Sequence, residues 1–315
     1  MIRTDVRRSH TADGAAVDDP SAFAFPAERP PLGTAEGSVI IPAHNEAQVI
    51  ARTLRALAPL AASPSVEVIV VCNGCSDDTA QVARTFPWAR VEDTPERSKT
   101  AALNLGDRIA TRWPRLYLDA DIEVSPAAVL ETFAALTGPG VRAARPTHAY
   151  DISSASPLVR GYYRARSRIP GPLRLWGAGS FATNEEGHRR LGAFPAVTAD
   201  DSWFDAQFSE SEKQIVSTTP TRVRTPRTVS DLVNVLSRQR RGYLELHIPA
   251  ETRSRGTALT ASIRGPRTAL DAIAYAAITV VSRALADRAI RRAGAHTWER
   301  DDSTRVRNED REAFS

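Results

Sequence analysis

Lysine is nearly absent from the chain: all but two of its 41 basic residues are arginine, and the exceptions are Lys99 and Lys213. Because 37 acidic residues balance them, the formal net charge is only +4. The high isoelectric point therefore does not by itself indicate nucleic acid, and we expect no nucleic-acid partner. The scarcity of lysine makes Lys99 a candidate for a specific role.

Cysteine is equally scarce: the chain has only two, Cys72 and Cys75, which form one C-x-x-C pair. Such a pair occurs in redox sites and in halves of zinc sites, but the sequence has no second pair, and its six histidines show no matching spacing. We predict two ordinary cysteines in a reducing compartment, and hence a cytoplasmic protein.

Two further absences narrow the function. The first 36 residues lack the apolar segment of a signal peptide, and their polar, Pro- and Gly-rich composition predicts a disordered tail. Neither a G-x-G-x-x-G nor a Walker motif follows the apolar runs of the N-terminal half, which argues against a dinucleotide dehydrogenase or a P-loop enzyme. The hydrophobic fraction of 42% is ordinary for a soluble globular chain.

Strand and helix patterns alternate after the tail, which predicts an α/β fold with a parallel, doubly wound sheet. The predicted strands are 38–42, 66–71 and 116–118. The ligand crevice of such a sheet lies where its strands end. Asn45 and Gln48 resemble a capping box, so we expect the first helix to begin there and to offer backbone amides to an anion.

Asp119 and Asp121 follow the third predicted strand directly. Residues two apart share a face in an extended segment, so the two carboxylates repel each other unless a cation lies between them. Oxygen ligands favour Mg²⁺ or Mn²⁺. The alternative is a solvated turn after a strand, where Asp is common. Lys99, at the start of the third helix, is either a phosphate ligand in the same crevice or a solvated lysine.

Four motifs in sequence order resemble those of family 2 glycosyltransferases with the GT-A fold. They are Val39–Glu46, Val70–Thr79, Lys99–Gly106 and Asp119–Asp121. The resemblance covers roughly residues 38–210. It implies a GT-A (Rossmann-like) fold with a mixed, mainly parallel sheet flanked by helices, a nucleotide-sugar donor, a divalent metal and inversion at the anomeric carbon.

The family pattern places the base and ribose of the donor against Pro42, Ala43 and Glu46. Asn73 stands where the family usually has an aspartate that hydrogen-bonds uracil. An amide both donates and accepts, so a UDP-sugar is favoured and a GDP-sugar remains the alternative. Lys99 matches a position near the donor phosphates.

The same pattern assigns the metal motif and the base. Asp119 matches the first aspartate, near the ribose, and Asp121 the aspartate that ligates the ion. Within Ala199–Phe204, Asp201 matches the usual general base, with Asp200 beside it. Adjacent acids raise one pKa and favour general-base catalysis, whereas the alternative is an Asp that caps a helix.

Two stretches nearer the C-terminus have weaker signals. Trp176–Phe181 is expected to line the acceptor side, or else to be a glycine-rich strand edge. Arg238–Gly242 resembles the Q-x-x-R-W box of processive family members, with Gly242 in place of tryptophan. We predict a solvated basic helix there, with contact of Arg241 to the donor pyrophosphate as the alternative.

A long helix is predicted over Thr268–Arg292. Asp271 and Arg283 bound an apolar run that is too short for a membrane-spanning helix. We predict that this helix packs on the catalytic domain or on a second subunit, and the alternative is that its arginines hold it against anionic headgroups.

The predicted organisation has four parts: a disordered tail (1–36), a GT-A nucleotide-sugar-binding and catalytic domain (37–215), a C-terminal helical extension (216–297) and a charged tail (298–315). The predicted function is metal-assisted, inverting transfer of a sugar to an acceptor hydroxyl in the synthesis of a cell envelope polysaccharide, a glycolipid or a lipid-linked sugar. The predicted location is the cytoplasm, with a peripheral position at the inner face of the membrane as the second option. The alternatives are a non-catalytic nucleotide-sugar-binding protein and a metal-dependent nucleotidyltransferase.

Overall fold

A computed structural model describes residues 12–23, 35–171, 173–247 and 252–292. The strands are β1 (Ala15–Val17), β2 (Gly37–Ala43), β3 (Val66–Asn73), β4 (Arg90–Thr94), β5 (Arg115–Leu118), β6 (Ala143–Asp151), β7 (Ser180–Thr183) and β8 (Lys213–Arg224). The helices are α1 (Ile50–Leu57), α2 (Thr79–Arg84), α3 (Lys99–Ile109), α4 (Pro126–Ala135), α5 (Pro157–Arg168), α6 (Glu185–Leu191), α7 (Asp200–Ala206), α8 (Val229–Glu245), α9 (Thr252–Ala261) and α10 (Pro266–Arg292).

All eight strands form one sheet in the order β1-β6-β7-β5-β2-β3-β4, and β8 pairs with β6. β7 runs antiparallel to both β5 and β6, whereas the other pairings are parallel. The sheet is therefore mixed and mainly parallel with flanking helices, which confirms the predicted fold class.

The central strands are buried on both faces because apolar side chains occupy successive positions. Val39 and Ile41 of β2 point into one core with Leu54 of α1, while Ile40 between them points into a second core with Leu103 of α3. This alternation is the two-residue period of a strand that has a helical layer on each side.

Strand register brings the chemically active segments together. In the parallel pairing, Ala43 of β2 lies opposite Cys72 of β3, so both strands end at the same edge of the sheet. The antiparallel β7 begins at Ser180 opposite Leu118, the last residue of β5. The glycine-rich segment before β7 therefore lies beside Asp119.

The predicted disordered tail is wrong for residues 12–23. Ala15–Val17 forms β1 and pairs with the end of β6. The carboxylate of Asp13 lies 2.7 Å from Arg145 and 3.0 Å from the ring of His148, both of which are buried. This ion pair across the sheet edge fixes a segment whose composition alone predicts disorder.

The C-terminal part differs from prediction in where it starts. β8 spans the predicted boundary at 215/216 and joins the main sheet, so the helical part begins only at α8. α10 packs on α5, where Asp271 lies 2.7 Å from Arg164 and 3.1 Å from Arg168. The predicted charged tail, 298–315, and the last residues of the predicted extension lie outside the described residues.

α10 is longer than predicted. Pro266–Ala289 is long and apolar enough to cross a membrane by length and composition, which corrects the prediction of a run too short to span, although 39% of its most apolar window is buried inside the protein. The predicted packing on the catalytic domain accounts for that buried face, whereas the opposite face exposes Leu270, Ile273 and Val280.

Candidate functional site

A cleft of about 320 Å³ opens where β2, β3 and β5 end. Eight of the nine candidate residues line it: Pro42, Glu46, Asn73, Lys99, Asp119, Asp121, Asp200 and Asp201. The ninth, Ala43, is only 1% exposed and faces the core, where its carbonyl accepts a hydrogen bond from the Cys75 thiol. The cleft therefore collects residues from both halves of the predicted catalytic domain.

Lys99 occupies the middle of this cleft at the first position of α3. The Ser98 hydroxyl caps the helix by accepting the amide proton of Ala101. The ammonium nitrogen lies 2.7 Å from Oδ1 of Asp119 and 3.0 Å from Oδ2 of Asp200. Burial alone lowers the pKa of Lys99, but the two carboxylates outweigh burial and hold that pKa above its ordinary value. Lys99 is thus a fixed positive charge rather than a solvated lysine.

Asp200 and Asp201 open α7 but do not act as its cap. The cap position is Ala199, which makes no side-chain hydrogen bond to the helix. Asp200 is 4% exposed and faces Lys99, whereas Asp201 accepts the amide proton of Gly177 at 3.0 Å and that of Ser202 at 2.6 Å. Neither aspartate is the N-cap of α7, although Asp201 binds one amide of its first turn, and both residues line the cleft.

Burial raises the pKa of the Asp200 carboxyl to about 6, with Lys99 opposing the shift and the carboxylates of Asp201 and Asp119 adding to it. The pKa of Asp201 is also raised, first by burial, with Lys99 and the Gly177 amide opposing. Two adjacent acids with raised pKa values beside one cation are suited to accept a proton.

An arginine network behind the cleft holds the Asp119–Glu123 segment. Arg52 of α1 donates to the carbonyl of Asp121 at 3.0 Å and lies 3.1 Å from the carboxylate of Glu123. Arg224 of β8 contacts the same carboxylate at 2.8 Å. Glu123 was not among the predicted site residues, although its place two residues after Asp121 extends the same alternation of acids.

Asn73 ends β3 and lines the cleft. It is 1% exposed, and its side-chain nitrogen has no hydrogen-bond partner among the described residues. The backbone carbonyl oxygen of Asn73 lies 2.5 Å from Nδ1 of His44, a cleft residue that was not among the predicted site residues. A buried amide nitrogen at the wall of a cleft is suited to hydrogen-bond a bound ligand.

The predicted capping box at Asn45 and Gln48 is wrong. α1 begins at Ile50, and Asn45 adopts a positive φ of 53°. Its side-chain oxygen accepts the amide proton of Ser76 at 2.7 Å. The Glu46 amide donates to the hydroxyl of Thr79, the first residue of α2, and the Ala47 amide donates to the carboxylate of Asp77, so side chains already bind two amides that we expected to face an anion.

The glycine-rich segment before β7 fits tightly against the aspartate motif. Gly179 has a φ of 66°, and a Cβ atom there would lie 2.4 Å from Ile122, so only glycine is accommodated. Its carbonyl accepts the amide proton of Asp119 at 2.9 Å. Gly177 of the same segment lines the cleft, in agreement with the predicted position of this segment beside the site.

The stretch predicted to be a solvated basic helix, Arg238–Gly242, belongs to α8. Part of it faces the protein rather than solvent. Arg238 and Gln239 line the cleft. Gly242 packs on Ala199, where a Cβ atom would approach the Ala199 side chain to 2.6 Å. This contact explains why the position that is tryptophan in the resembling box carries glycine here.

The donor set for a cation is small. Among the residues that the structure describes, no group of three or more His, Cys, Asp or Glu side chains could hold a metal ion. Asp119 and Asp121 provide two carboxylates at the cleft wall. This set fits Mg²⁺ or Mn²⁺, which are commonly bound by one or two carboxylates together with substrate phosphates and water.

Solved structures resemble the chain in fold. A mannosyltransferase from Pyrobaculum calidifontis, in complex with GDP-Man and Mn²⁺, has 19% identity and a TM-score of 0.53, with 87% of this chain and 80% of that chain covered. A glucosyl-3-phosphoglycerate synthase from Mycobacterium tuberculosis, in complex with phosphoglyceric acid, has 21% identity and a TM-score of 0.51, with 69% and 82% covered. No curated protein sequence matches the chain.

Fold, cleft and sequence together define a glycosyltransferase of GT-A type. Residues 38–174 match the model of Glycosyl transferase family 2. This stretch of the chain contains all four motifs on which the resemblance is based. The resemblance is thereby confirmed over residues 38–174.

Proposed function

We propose that the chain transfers a sugar from a nucleotide-sugar donor to an acceptor hydroxyl with inversion at the anomeric carbon. The carrying observation is that one cleft contains Asp119 and Asp121 at the end of β5 and Asp201 at the start of α7. Inversion needs a leaving group stabilised on one side of the anomeric carbon and a base on the other. Acids from two separate elements supply both functions.

The donor diphosphate would lie against the end of β5, with Asp121 as the main metal ligand and Asp119 beside it. The mannosyltransferase of similar fold binds GDP-Man and Mn²⁺, which supports a divalent ion and a nucleotide sugar here. When bound, the ion supplies a Lewis acid that neutralises charge on the departing diphosphate. Pro42, Glu46 and Asn73 would hold the nucleoside; a UDP-sugar stays the favoured donor and a GDP-sugar the alternative.

Asp201 acts as the general base in this proposal. As the acceptor oxygen bonds to the anomeric carbon and the bond from that carbon to the phosphate oxygen breaks, the acceptor proton moves to the carboxylate of Asp201. Asp200 is paired with Lys99 at 3.0 Å and so is less available for this proton. Lys99 also offsets the negative charge that the two aspartates and the departing diphosphate concentrate in the cleft.

Transfer measured as release of nucleoside diphosphate tests the proposal. We expect Asp201→Asn to keep donor binding and to lose more than about a hundredfold in turnover, as is usual when a general base is removed. Asp200→Asn should retain measurable transfer, and Glu185→Gln, an exposed acid on α6, serves as the control. Unchanged transfer in Asp201→Asn would contradict the assignment.

The same assay separates the alternatives. A nucleotidyltransferase would release pyrophosphate from a nucleoside triphosphate. A non-catalytic binding protein would bind labelled donor without cleaving it in a single turnover.

We also propose that α10 lies on an anionic membrane surface with its exposed face. Leu270, Ile273 and Val280 are more than 60% exposed, at 67%, 64% and 66%. At 100° per residue, Arg267 and Arg288 fall on the same side at the two ends of this apolar face. An apolar stripe with flanking arginines is the arrangement that binds anionic headgroups. The acceptor would then be a saccharide or a lipid-linked sugar.

Vesicle flotation tests this contact. The chain should float with vesicles of phosphatidylcholine and phosphatidylglycerol, and Ile273→Ser with Val280→Ser should abolish flotation. Equal flotation of the double variant would place the contact elsewhere, and absence of flotation by the unmodified chain would contradict it.

A further inference from the structure

One face of α8 forms part of the wall of the catalytic cleft. Leu236, Gln239 and Tyr243 all line the cleft. Because they are three and four residues apart, they lie along a single face of the helix. The Q-x-x-R-W box that this stretch resembles specifies neither Gln239 nor Tyr243, and neither residue has a role in the transfer proposed above.

Two contacts hold the end of α8 against the start of α7. Gly242 packs on Ala199, the N-cap residue of α7. The carboxylate of Glu245 accepts the amide proton of Thr198 at 3.3 Å. Tyr243 lies between these two contact residues in the sequence, so its position relative to α7 is fixed.

The ring of Tyr243 is also supported next to the proposed base. Trp176 contacts this ring at a centroid separation of 5.4 Å. The amide of the following residue, Gly177, donates to the carboxylate of Asp201 at 3.0 Å. Adjacent residues of one segment therefore hold Tyr243 and Asp201, and the acceptor hydroxyl that gives its proton to Asp201 must lie nearby.

Gln239 and Tyr243 offer uncharged polar groups to the cleft. Both residues are half-buried, and within the described part of the chain neither the amide nor the hydroxyl makes a hydrogen bond. Burial, followed by the carboxylate of Asp201, holds the pKa of Tyr243 above its ordinary value, so the hydroxyl stays protonated and can donate. Such groups are suited to bind the hydroxyl groups of a ligand.

We propose that Gln239 and Tyr243 bind a sugar ring of the acceptor, with the Tyr243 ring against its apolar face and the two polar groups on hydroxyls beside the reacting one. This assignment rests on the proposed glycosyl transfer and narrows the acceptor to a saccharide. A pyranose has a face of C–H bonds and a rim of hydroxyls. An aromatic ring next to an amide and a hydroxyl matches both parts.

Binding without reaction is the first test. The donor site is saturated with nucleoside diphosphate and Mn²⁺, and a panel of methyl pyranosides is added to the full chain. Saturation-transfer NMR detects bound ligand, and cyclohexanol serves as a six-membered ring with a single hydroxyl. We expect at least one pyranoside to bind, cyclohexanol to bind no better than background, and Tyr243→Leu to abolish pyranoside binding.

The second test measures transfer to the pyranoside that binds. Tyr243→Phe and Gln239→Leu each remove one hydrogen bond, so the acceptor KM should rise by up to about tenfold. Tyr243→Leu also removes the ring, so its acceptor KM should rise roughly 10- to 100-fold. The donor KM should stay unchanged in all three variants, which a merely structural defect would not allow.

Tyr275→Phe is the matched control, since Tyr275 stacks on Tyr162 at 5.0 Å and is not among the described residues that line the cleft. It should leave both KM values unchanged. An unchanged acceptor KM in Tyr243→Phe and Gln239→Leu, or no binding by any pyranoside, would overturn the sugar site while the proposed transfer stands. Donor that is never cleaved, together with pyranoside binding that Tyr243→Leu abolishes, would overturn the transfer and leave the sugar site in place.

Discussion

The ammonium nitrogen of Lys99 lies 3.0 Å from Oδ2 of Asp200, and this ion pair connects the start of α3 to the start of α7 across the cleft. The same nitrogen reaches Asp119 at the end of β5. A single cation at the start of α3 therefore connects two carboxylate-bearing segments, and its removal should affect both together.

Lys99→Met tests this role. We expect turnover to fall more than about a hundredfold, because Asp119 and Asp200 lose their partner and the cleft gains uncompensated negative charge. Lys213→Met is the matched control: Lys213 pairs with Asp205 at 2.9 Å outside the cleft, so its loss should lower the Tm while the folded protein keeps its kcat. A normal kcat in Lys99→Met would exclude the proposed role.

The raised pKa values of the α7 aspartates predict the pH dependence of transfer. The base, Asp201, must be ionised, and burial raises its pKa, so kcat/KM should rise with pH above the ordinary range of a carboxyl group. Asp200→Asn removes a negative neighbour of Asp201, which lowers the pKa of Asp201, so the acid limb should move to lower pH. A limb that stays in place would show that the two carboxyls are not coupled.

The contribution of Asp200 to the free energy of unfolding should fall as pH rises, in contrast to the rise in kcat/KM. The pKa of the folded Asp200 carboxyl is higher than in the unfolded chain, so the folded protein binds more protons between its ordinary pKa and about 6. The contribution of this group is therefore full below its ordinary pKa and is lost as pH rises through about 6. Urea unfolding between pH 4 and 7 measures it, with Asp200→Asn as the reference.

The metal proposal gives its own prediction. A chelator should abolish donor cleavage, and Mn²⁺ or Mg²⁺ should restore it. Asp121→Ala should remove the thermal stabilisation that nucleoside diphosphate and Mn²⁺ produce together, because that stabilisation depends on ligand affinity. Full turnover in chelator would refute a role for the ion.

The buried side-chain nitrogen of Asn73 predicts a change in base recognition. Asn73→Asp removes the buried donor and restores the acceptor that usually hydrogen-bonds uracil in the family, so the preference among nucleoside diphosphates should shift toward UDP. A competition panel of nucleoside diphosphates measures the order of preference. An unchanged order and affinity would place the base away from Asn73.

Glu123→Gln should destabilise the protein by about 3 kcal/mol, since Arg52 and Arg224 both lose a charged partner that is only 14% exposed. Asp93→Asn, which breaks the exposed pair with Arg84, should change the free energy of unfolding by less than about 1 kcal/mol. Chemical denaturation measures both, and equal effects would contradict the idea that Glu123 supports the aspartate segment.

Local sequence was sufficient to predict the elements that position the cleft. The apolar runs of β2, β3 and β5 predict buried strands, and parallel strands end at a common edge. Asn73 and Asp119 follow two of these runs, so their positions in the sequence alone predict that they lie close together. The four motifs then specify the family.

Contacts between distant charged residues were not predictable in this way. The sequence around Glu123 does not indicate that Arg222 and Arg224 of β8 will lie beside it. The sequence around Asp13 likewise does not indicate its ion pair with Arg145. The fit of Gly242 on Ala199 likewise depends on how α8 crosses α7. Such pairings are set by tertiary packing rather than by local pattern. The segment 12–23 is therefore ordered through its contact with a buried arginine, although its composition predicts disorder.

The contact between Asp13 and Arg145 bears on how shortened forms of this enzyme should be designed. A form that starts at residue 36 would keep every family motif yet strip the carboxylate from an arginine that is 3% exposed. Removing one partner of a buried pair commonly destabilises a protein by about 3–5 kcal/mol, so such a trimmed form should aggregate or unfold at temperatures that the full chain withstands. A shortened form that still includes Asp13 keeps the ion pair with Arg145 and is the better choice for crystallisation.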